Sequence, residues 1–277
     1  MKTNIAVFME VFNEEGRIEN CCEFFKWADE LIIFDKGSTD RTVELAKKYT
    51  DKVIVIPYSD TTTFSHKYVA DYKTDCEWYF FPTASSAIEP RLVKELTKLT
   101  TSKNLPFDVI SLPLKMFVLG ISSRQSPWGA TFKNTCIRKT ALKLSTEVHK
   151  ETGYHGDRVC KQLLDLDSYL YHFTHGRVET LFERHNRYSK EEARALREAG
   201  QLNLRAEFNA LIKAFFYVTI KKRVFMMGWD GVALGLAYLS YFMMKFLYSW
   251  EQLRGLDLGV YREEILKIRE TWDEDGR

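Results

Sequence analysis

The hexapeptide Asp35-Lys36-Gly37-Ser38-Thr39-Asp40 places two carboxylates, two hydroxyls and a glycine directly after the apolar run Leu31-Ile32-Ile33-Phe34. A carboxylate at a strand end can accept hydrogen bonds from a base or a ribose. Helix amides beside it favour a negatively charged group. The same residues also suit an ordinary strand-to-helix turn with Ser38 or Asp40 as the cap. Both readings are open on the sequence. Two other loops fall at equivalent places, Glu10 to Glu15 and Pro82 to Glu89.

The elements that must position these loops follow from periodicity. Ile5 to Met9, Leu31 to Phe34, Val53 to Ile56 and Trp78 to Phe81 are short apolar runs rich in β-formers. Between them, Ile18, Cys21, Cys22 and Phe25 recur at helical spacing, as do Val43, Ala46 and Tyr49. A helix is expected from Phe64 to Tyr72, and another from Pro90, which suits a first helical turn, to about Leu99. Four strand–helix alternations predict an α/β fold with a mostly parallel sheet and helices on both faces. In such a sheet a ligand sits beyond the carboxyl ends of the strands, where the three loops lie. Asp108 to Val118 and Thr131 to Arg138 read as further extended segments, and Glu179 to Ala199 as a charged helix.

Composition narrows the classes. Hydrophobic residues make up 45% of 277 and charged residues 28%, enough for a full core and against wholesale disorder. The net charge of +2 gives no case for nucleic-acid binding. Five cysteines, none in a Cys-x-x-Cys pair, point to reduced thiols in a cytosolic setting and away from a zinc site. Ile5 to Phe12 is too short and too interrupted for a secretory signal. No G-x-G-x-x-G or Walker loop is present, which weakens oxidoreductase and P-loop readings. A nucleotidyl transferase would need a glycine-rich phosphate loop that Glu10 to Glu15 does not supply.

Several stretches in one order resemble a known family. Asn13-Glu14-Glu15, Ala28-Asp29-Glu30-Leu31-Ile32-Ile33-Phe34-Asp35 and Gly37-Ser38-Thr39-Asp40-Arg41-Thr42 look like a family 2 glycosyltransferase. The likeness is narrower to the branch acting on lipopolysaccharide core, capsule and related surface glycans. Arg184-His185-Asn186-Arg187-Tyr188-Ser189 resembles that branch's asparagine-arginine-tyrosine helix. Phe225-Met226-Met227-Gly228-Trp229-Asp230-Gly231 resembles its glycine-rich turn before a membrane-facing helix. The resemblance implies a GT-A fold that binds a nucleotide sugar, with UDP the expected nucleotide, and transfers the sugar with inversion. Asp35 would contact the nucleoside, Glu10 to Asn13 would cover the base, and Lys67 would lie near the nucleotide. Lys67 also reads as an ordinary solvated helix lysine.

Two departures stand out. Where the family places an Asp-x-Asp motif holding a divalent cation, this chain has Thr83-Ala84-Ser85. Hydroxyls are poor sole anchors for magnesium or manganese. The chain therefore lacks the metal, holds it weakly through Glu89 or another acid, or is inert. Without metal, the leaving diphosphate would need Lys36, Lys67, Arg91, Arg124, Arg138 or amides of the 82–86 turn, which is why Thr83 and Ser85 count among the nucleotide-binding candidates. In the second departure, the branch's histidine-glutamate pair becomes Val148-His149-Lys150-Glu151. His149 or Glu151 is the expected base, against a reading in which His149 only packs and the acids are only exposed.

From Leu202 to Arg254 aromatics and methionines become dense beside Lys221-Lys222-Arg223. Such a segment suits contact with an anionic membrane leaflet, or else a buried hairpin or dimer seam. Its uncharged core, Gly231 to Met244, is 14 residues and short for a spanning helix. The charged tail from Arg262 is expected to be solvated. The Gln-x-x-Arg-Trp motif of processive synthases is absent, Gln201 and Arg205 being mis-spaced for it.

The expectation is a catalytic GT-A domain over residues 1–200 and a helical, membrane-associating or oligomerising region over 201–277. The activity is non-processive sugar transfer from a nucleotide-sugar donor to a glycan or glycolipid acceptor, at the cytoplasmic side of the inner membrane. The alternative is a catalytically silent GT-A-like scaffold subunit.

Overall fold

The computed structural model describes residues 2–58, 64–103, 105–129, 132–143, 153–155, 160–163, 167–256 and 259–275. Two compact units emerge, Met1–Arg124 with Trp128–Gly176, and Gln125–Pro127 with Arg177–Arg277.

The first unit is the expected α/β layer structure. It runs β1 (Ile5–Val11), α1 (Ile18–Phe25), β2 (Glu30–Asp35), α2 (Thr42–Ala46), β3 (Val53–Val55), α3 (Phe64–Asp71), β4 (Trp78–Phe80), β5 (Ser86–Ile88) and α4 (Pro90–Thr100). Then come β6 (Val109–Val118), β7 (Phe132–Arg138), the short pair β8 (Leu142–Lys143) and β9 (Gly153–Tyr154), β10 (Cys160–Gln162) and β11 (Leu170–Thr174). Among the described residues the main sheet has the order β3-β2-β1-β4-β7-β6-β11-β5, with β10 beside β6. The block β3-β2-β1-β4 is parallel. β7 then runs antiparallel to both neighbours, and β5 antiparallel to β11.

Alternation along the strands explains the double cover. Ile5, Val7, Met9 and Val11 of β1 face a core shared with Ile18, Cys22 and Phe25 of α1 and Leu92 and Leu96 of α4. Ala6 and Phe8 face the opposite core, with Ile32, Phe34, Val69 of α3 and Tyr79. Ile5 to Met9 of β1 and Leu31 to Phe34 of β2 are buried on one face or the other, which is why they are apolar runs in sequence. Cys21, Cys22, Cys76 and Cys136 are free and buried. Burial pushes the Cys22 thiol up to about 12, so these sulfurs act as core atoms rather than nucleophiles.

The second unit holds α5 (Val178–Glu198), α6 (Leu204–Phe216), α7 (Gly228–Arg254) and α8 (Arg262–Asp275). Its boundary differs from the one expected at residue 200. α5 lies with the helical unit because it packs along α7: His185 Nδ1 and Ser240 Oγ are 3.2 Å apart, and Ser189 Oγ donates to the Tyr241 carbonyl at 3.2 Å. The Tyr248 hydroxyl donates to Asn186 Oδ1. The asparagine-arginine-tyrosine stretch is thus read out as a helix seam. Asn203 caps α6, its Oδ1 accepting from the amides of Arg205 and Ala206.

The glycine-rich turn also has a local cause. Gly228 sits at φ 64° and ψ −143°, a region closed to side chains. A Cβ on Gly231 would stand 1.7 Å from the Val224 carbonyl oxygen. The helix that follows is longer than the uncharged run suggested. Val224–Arg254 is long and apolar enough, by length and composition, to cross a membrane. Lys245 lies within this stretch, and its ammonium turns to Glu192 at 3.0 Å and Glu207 at 3.4 Å. The tail from Arg262 is exposed, as expected, yet helical.

Candidate active site at the strand ends

The parallel register sets the carboxyl ends of β2, β1 and β4 side by side. Val11 pairs with Asp35, Glu10 with Phe34, and Glu10 bridges to Thr83 just past β4. Glu10, Asn13, Asp35, Thr83 and Ser85, singled out in sequence, are therefore collected along one rim. From Asp35 to Thr83 is about two strand spacings, roughly 10 Å.

Asp35 is 1% exposed. Its Oδ2 accepts from the amides of Gly37 at 3.0 Å and Ser38 at 2.9 Å. Its Oδ1 is buried and has no partner. A buried carboxylate oxygen left unpaired costs on the order of 1–3 kcal/mol, so it marks a place where a ligand donor would be welcome. Gly37 takes φ 79°, which lets the chain wrap back over Asp35. Two exposed rings flank this point: Phe12, one residue after β1, and Tyr58, three residues after β3, with centroids 4.7 Å apart.

The other acid of the hexapeptide has a different task. Asp40 accepts from the amides of Thr42 at 2.9 Å and Glu15 at 3.1 Å, and Glu15 accepts from the Arg41 amide at 3.1 Å. Asp40 is thus spent on the turn, while Asp35 keeps one oxygen without a partner. The expectation that helix amides here could greet an anion is corrected: α2 has five residues, and those amides already serve Asp40 and Glu15. Asn13, at φ 52°, ties the two loops together; its amide donates to Ser38 Oγ at 2.9 Å and its Oδ1 accepts from the Thr39 amide at 2.9 Å.

Past β4, Thr83 is the hub of a hydroxyl cluster. Its Oγ1 lies 3.0 Å from Ser85 Oγ, 3.1 Å from Ser86 Oγ and 3.1 Å from Nδ1 of His172. His172 went unnoticed in sequence. The only signal is the period of two in Leu170-Tyr171-His172-Phe173, which sends His172 to one sheet face and the tyrosine and phenylalanine to the other. A cavity of about 380 Å³ opens beside this cluster, lined by Pro82, Ser86, Lys133, Asn134 and His172 over apolar walls from β6 and β11.

These residues do not suit a divalent cation. A threonine hydroxyl offers one hydrogen and two lone pairs, and three partners use them. Among the described residues no group of three histidines, cysteines or acids could hold a metal ion. Glu89 is committed elsewhere: Tyr171, on the opposite face from His172, donates to it. That hydrogen bond holds Glu89 below the usual carboxylate range and raises the Tyr171 hydroxyl to about 12.

The remaining candidates divide. Lys36 is buried and ion-paired to Glu10. Arg138 sits at the opposite end of the sheet, where β7 pairs with the first residue of β4, and binds Asp108 at 2.7 Å and Glu77 at 3.1 Å. Lys67 and Arg91 are exposed on α3 and α4. His149 and Glu151 lie outside the described residues.

A family model described as Glycosyl transferase family 2 matches residues 6–61, which include β1, β2, β3 and the Asp35 loop. An uncharacterized glycosyltransferase of Rickettsia typhi is 27% identical, over 98% of this chain and 91% of its own. One from Rickettsia bellii is 26% identical over 82% and 79%. Among solved structures, glucosyl-3-phosphoglycerate synthase from Mycobacterium tuberculosis, in complex with Mg2+ and UDP, is 23% identical over 41% of this chain and 43% of that one, with a TM-score of 0.32. The family match falls on the strand ends that carry Glu10, Asn13 and Asp35, and the relatives alike over most of the chain are glycosyltransferases: the protein is similar to glycosyltransferase family 2.

Proposed function

We propose that the rim binds a nucleotide-sugar donor, with UDP the expected nucleotide, and that the enzyme adds one sugar at a time to a surface-glycan or lipid-linked acceptor with inversion. The observation that carries this reading is the orphaned Oδ1 of Asp35, between strand ends whose exposed rings, Phe12 and Tyr58, meet. A base stacks on Phe12 and Tyr58 while a base or ribose donor satisfies Asp35, and the diphosphate then reaches toward Thr83. In the transfer, the acceptor hydroxyl oxygen attacks the anomeric carbon. The bond from that carbon to the diphosphate oxygen breaks, its electron pair leaving on the diphosphate. The acceptor's proton passes to a base, for which His149 and Glu151 are the candidates.

Isothermal titration with UDP, GDP, CDP, ADP and TDP tests the donor reading. One should bind, and Asp35→Asn should weaken it by about tenfold, because the amide keeps an acceptor for Gly37 and Ser38 but presents a donor where Oδ1 was. Asp35→Ala is less informative, since it strips those two amides as well. Binding by none of the five ends the reading.

The acceptor side rests on the helical unit. Phe215, Phe216, Ile220, Phe225, Met226 and Trp229 are exposed, Trp229 to 87%, beside Lys221, Lys222 and Arg223. An apolar tip with a basic collar suits peripheral contact with an anionic leaflet, where a lipid-linked acceptor would be found. Phe225→Asp with Trp229→Asp should move the protein from pelleted phosphatidylglycerol vesicles to the supernatant. Equal pelleting rejects the contact.

A further inference from the structure

The cavity beside Thr83 has a composition that a cation site would not have. Of its polar liners, Lys133 carries a positive charge, His172 can carry one, and none is an acid. No ion pair holds Lys133 among the described residues. Strand register explains why these groups meet. Lys133 pairs with Leu112, His172 with Met116 on one side and Ser86 on the other, and Leu170 with Leu114. With a period of two, Leu112, Leu114 and Met116 share one face of β6, so Lys133, His172 and Ser86 project to that same face. The walls between them are leucine, methionine and phenylalanine. A cavity lined by a lysine and a histidine over apolar walls, with no acid among its liners, favours an anion, and the low local dielectric strengthens each charged hydrogen bond made there.

Resting on the donor reading above, we propose that this cavity holds the diphosphate of a nucleoside-diphosphate ligand with protein groups alone, Lys133 and His172 taking the place of a divalent cation. Thr83 orients the cluster: with its hydroxyl saturated by Ser85, Ser86 and His172, it holds the imidazole at the cavity wall and leaves no lone pair for a metal ion. Lys133 meets the charge that Thr83 and Ser85 cannot. When the sugar–oxygen bond breaks, the electron pair left on the diphosphate develops next to these donors.

The test is isothermal titration of the whole protein with the five nucleoside diphosphates and, separately, their parent nucleosides, each in EDTA and in Mn2+. The dissociation constant of the diphosphate that binds should differ by less than about twofold between the two conditions. Lys133→Ala should weaken that diphosphate by about tenfold while leaving its nucleoside unchanged, with Lys133→Met as a second variant that keeps the apolar stem. Wild-type protein titrated with Mn2+ alone should give no binding heat. Nucleoside binding combined with diphosphate binding that requires Mn2+, or that ignores Lys133→Ala, overturns the inference and leaves the donor reading standing. Absence of both nucleoside and diphosphate binding overturns the two together.

Discussion

The two units of this chain distribute polarity in opposite ways. The sheet unit buries its apolar residues on both faces and brings Glu10, Asn13, Asp35, Thr83 and Ser85 together along one rim. The helical unit turns a lysine and two glutamates inward, Lys245 with Glu192 and Glu207, and leaves tryptophan, phenylalanine and methionine outside. Each inversion has a physical use. A polar rim over a dry core is built for a charged, water-borne ligand. An exposed apolar surface of this size is the kind that marks an interaction site. In the proposed function the rim would serve the nucleotide-sugar donor and the exposed apolar surface the acceptor side.

The comparison can be broken most directly at Gly231. Because a Cβ there meets backbone rather than a flexible side chain, Gly231→Ala should destabilise the helical unit by about 3 kcal/mol or more in urea unfolding. Nucleotide binding at the rim should survive at temperatures where that unit stays folded. A loss below about 0.5 kcal/mol would show that the turn does not need its glycine.

The internal ion cluster comes next. Lys245→Met leaves two glutamates facing each other in a half-buried space and should cost about 3 kcal/mol, while Lys245→Met combined with Glu192→Gln and Glu207→Gln should recover most of it. If the triple variant is no better than the single, the lysine contributes through packing and the inverted-polarity account weakens.

His185 sharpens the same contrast by pH. Burial holds its imidazole down at about 4 from an ordinary 6.5. A depressed base binds fewer protons folded than unfolded, so its contribution is fully present above about pH 6.5 and drains away as the pH falls toward 4. Going from pH 7.5 to 5 should therefore remove about 2 kcal/mol from the helical unit, and His185→Gln should abolish that component. An identical pH slope in the variant would move the effect elsewhere.

The smallest expected change lies at the rim. Phe12→Ala or Tyr58→Ala should weaken nucleoside binding by roughly fivefold, about 1 kcal/mol, with little change in stability because both rings are exposed. Unchanged affinity in both variants would remove the rings from the base site and leave Asp35 to act alone.

Most of the sheet was legible from local pattern. The parallel strands are apolar runs because β1, β2 and β4 are buried on both faces, and the helices between them repeat at 3.6. The rim loops were legible because turns demand particular residue types, and the glycine at 228 through its resemblance to a family's glycine-rich turn. His172 and Lys133 were not. Each is a single polar residue in an unremarkable strand, and what makes them a pair is that β7, β6 and β11 lie side by side although distant in sequence. The boundary at Gly176 was hidden likewise, because α5 carries a charged helical pattern that would suit either unit until α7 claims its inner face.

Sequence alone, then, determined the strand–helix order, the position of the ligand edge and the identity of Asp35 as a candidate, since all three depend on neighbours a few residues apart. Tertiary structure decided which carboxylate is spent on the turn and which oxygen is left unpaired, and it placed a histidine and a lysine around a hydroxyl cluster. Those outcomes depend on hydrogen-bond saturation and strand register between distant segments, quantities that exist only once the chain has closed on itself.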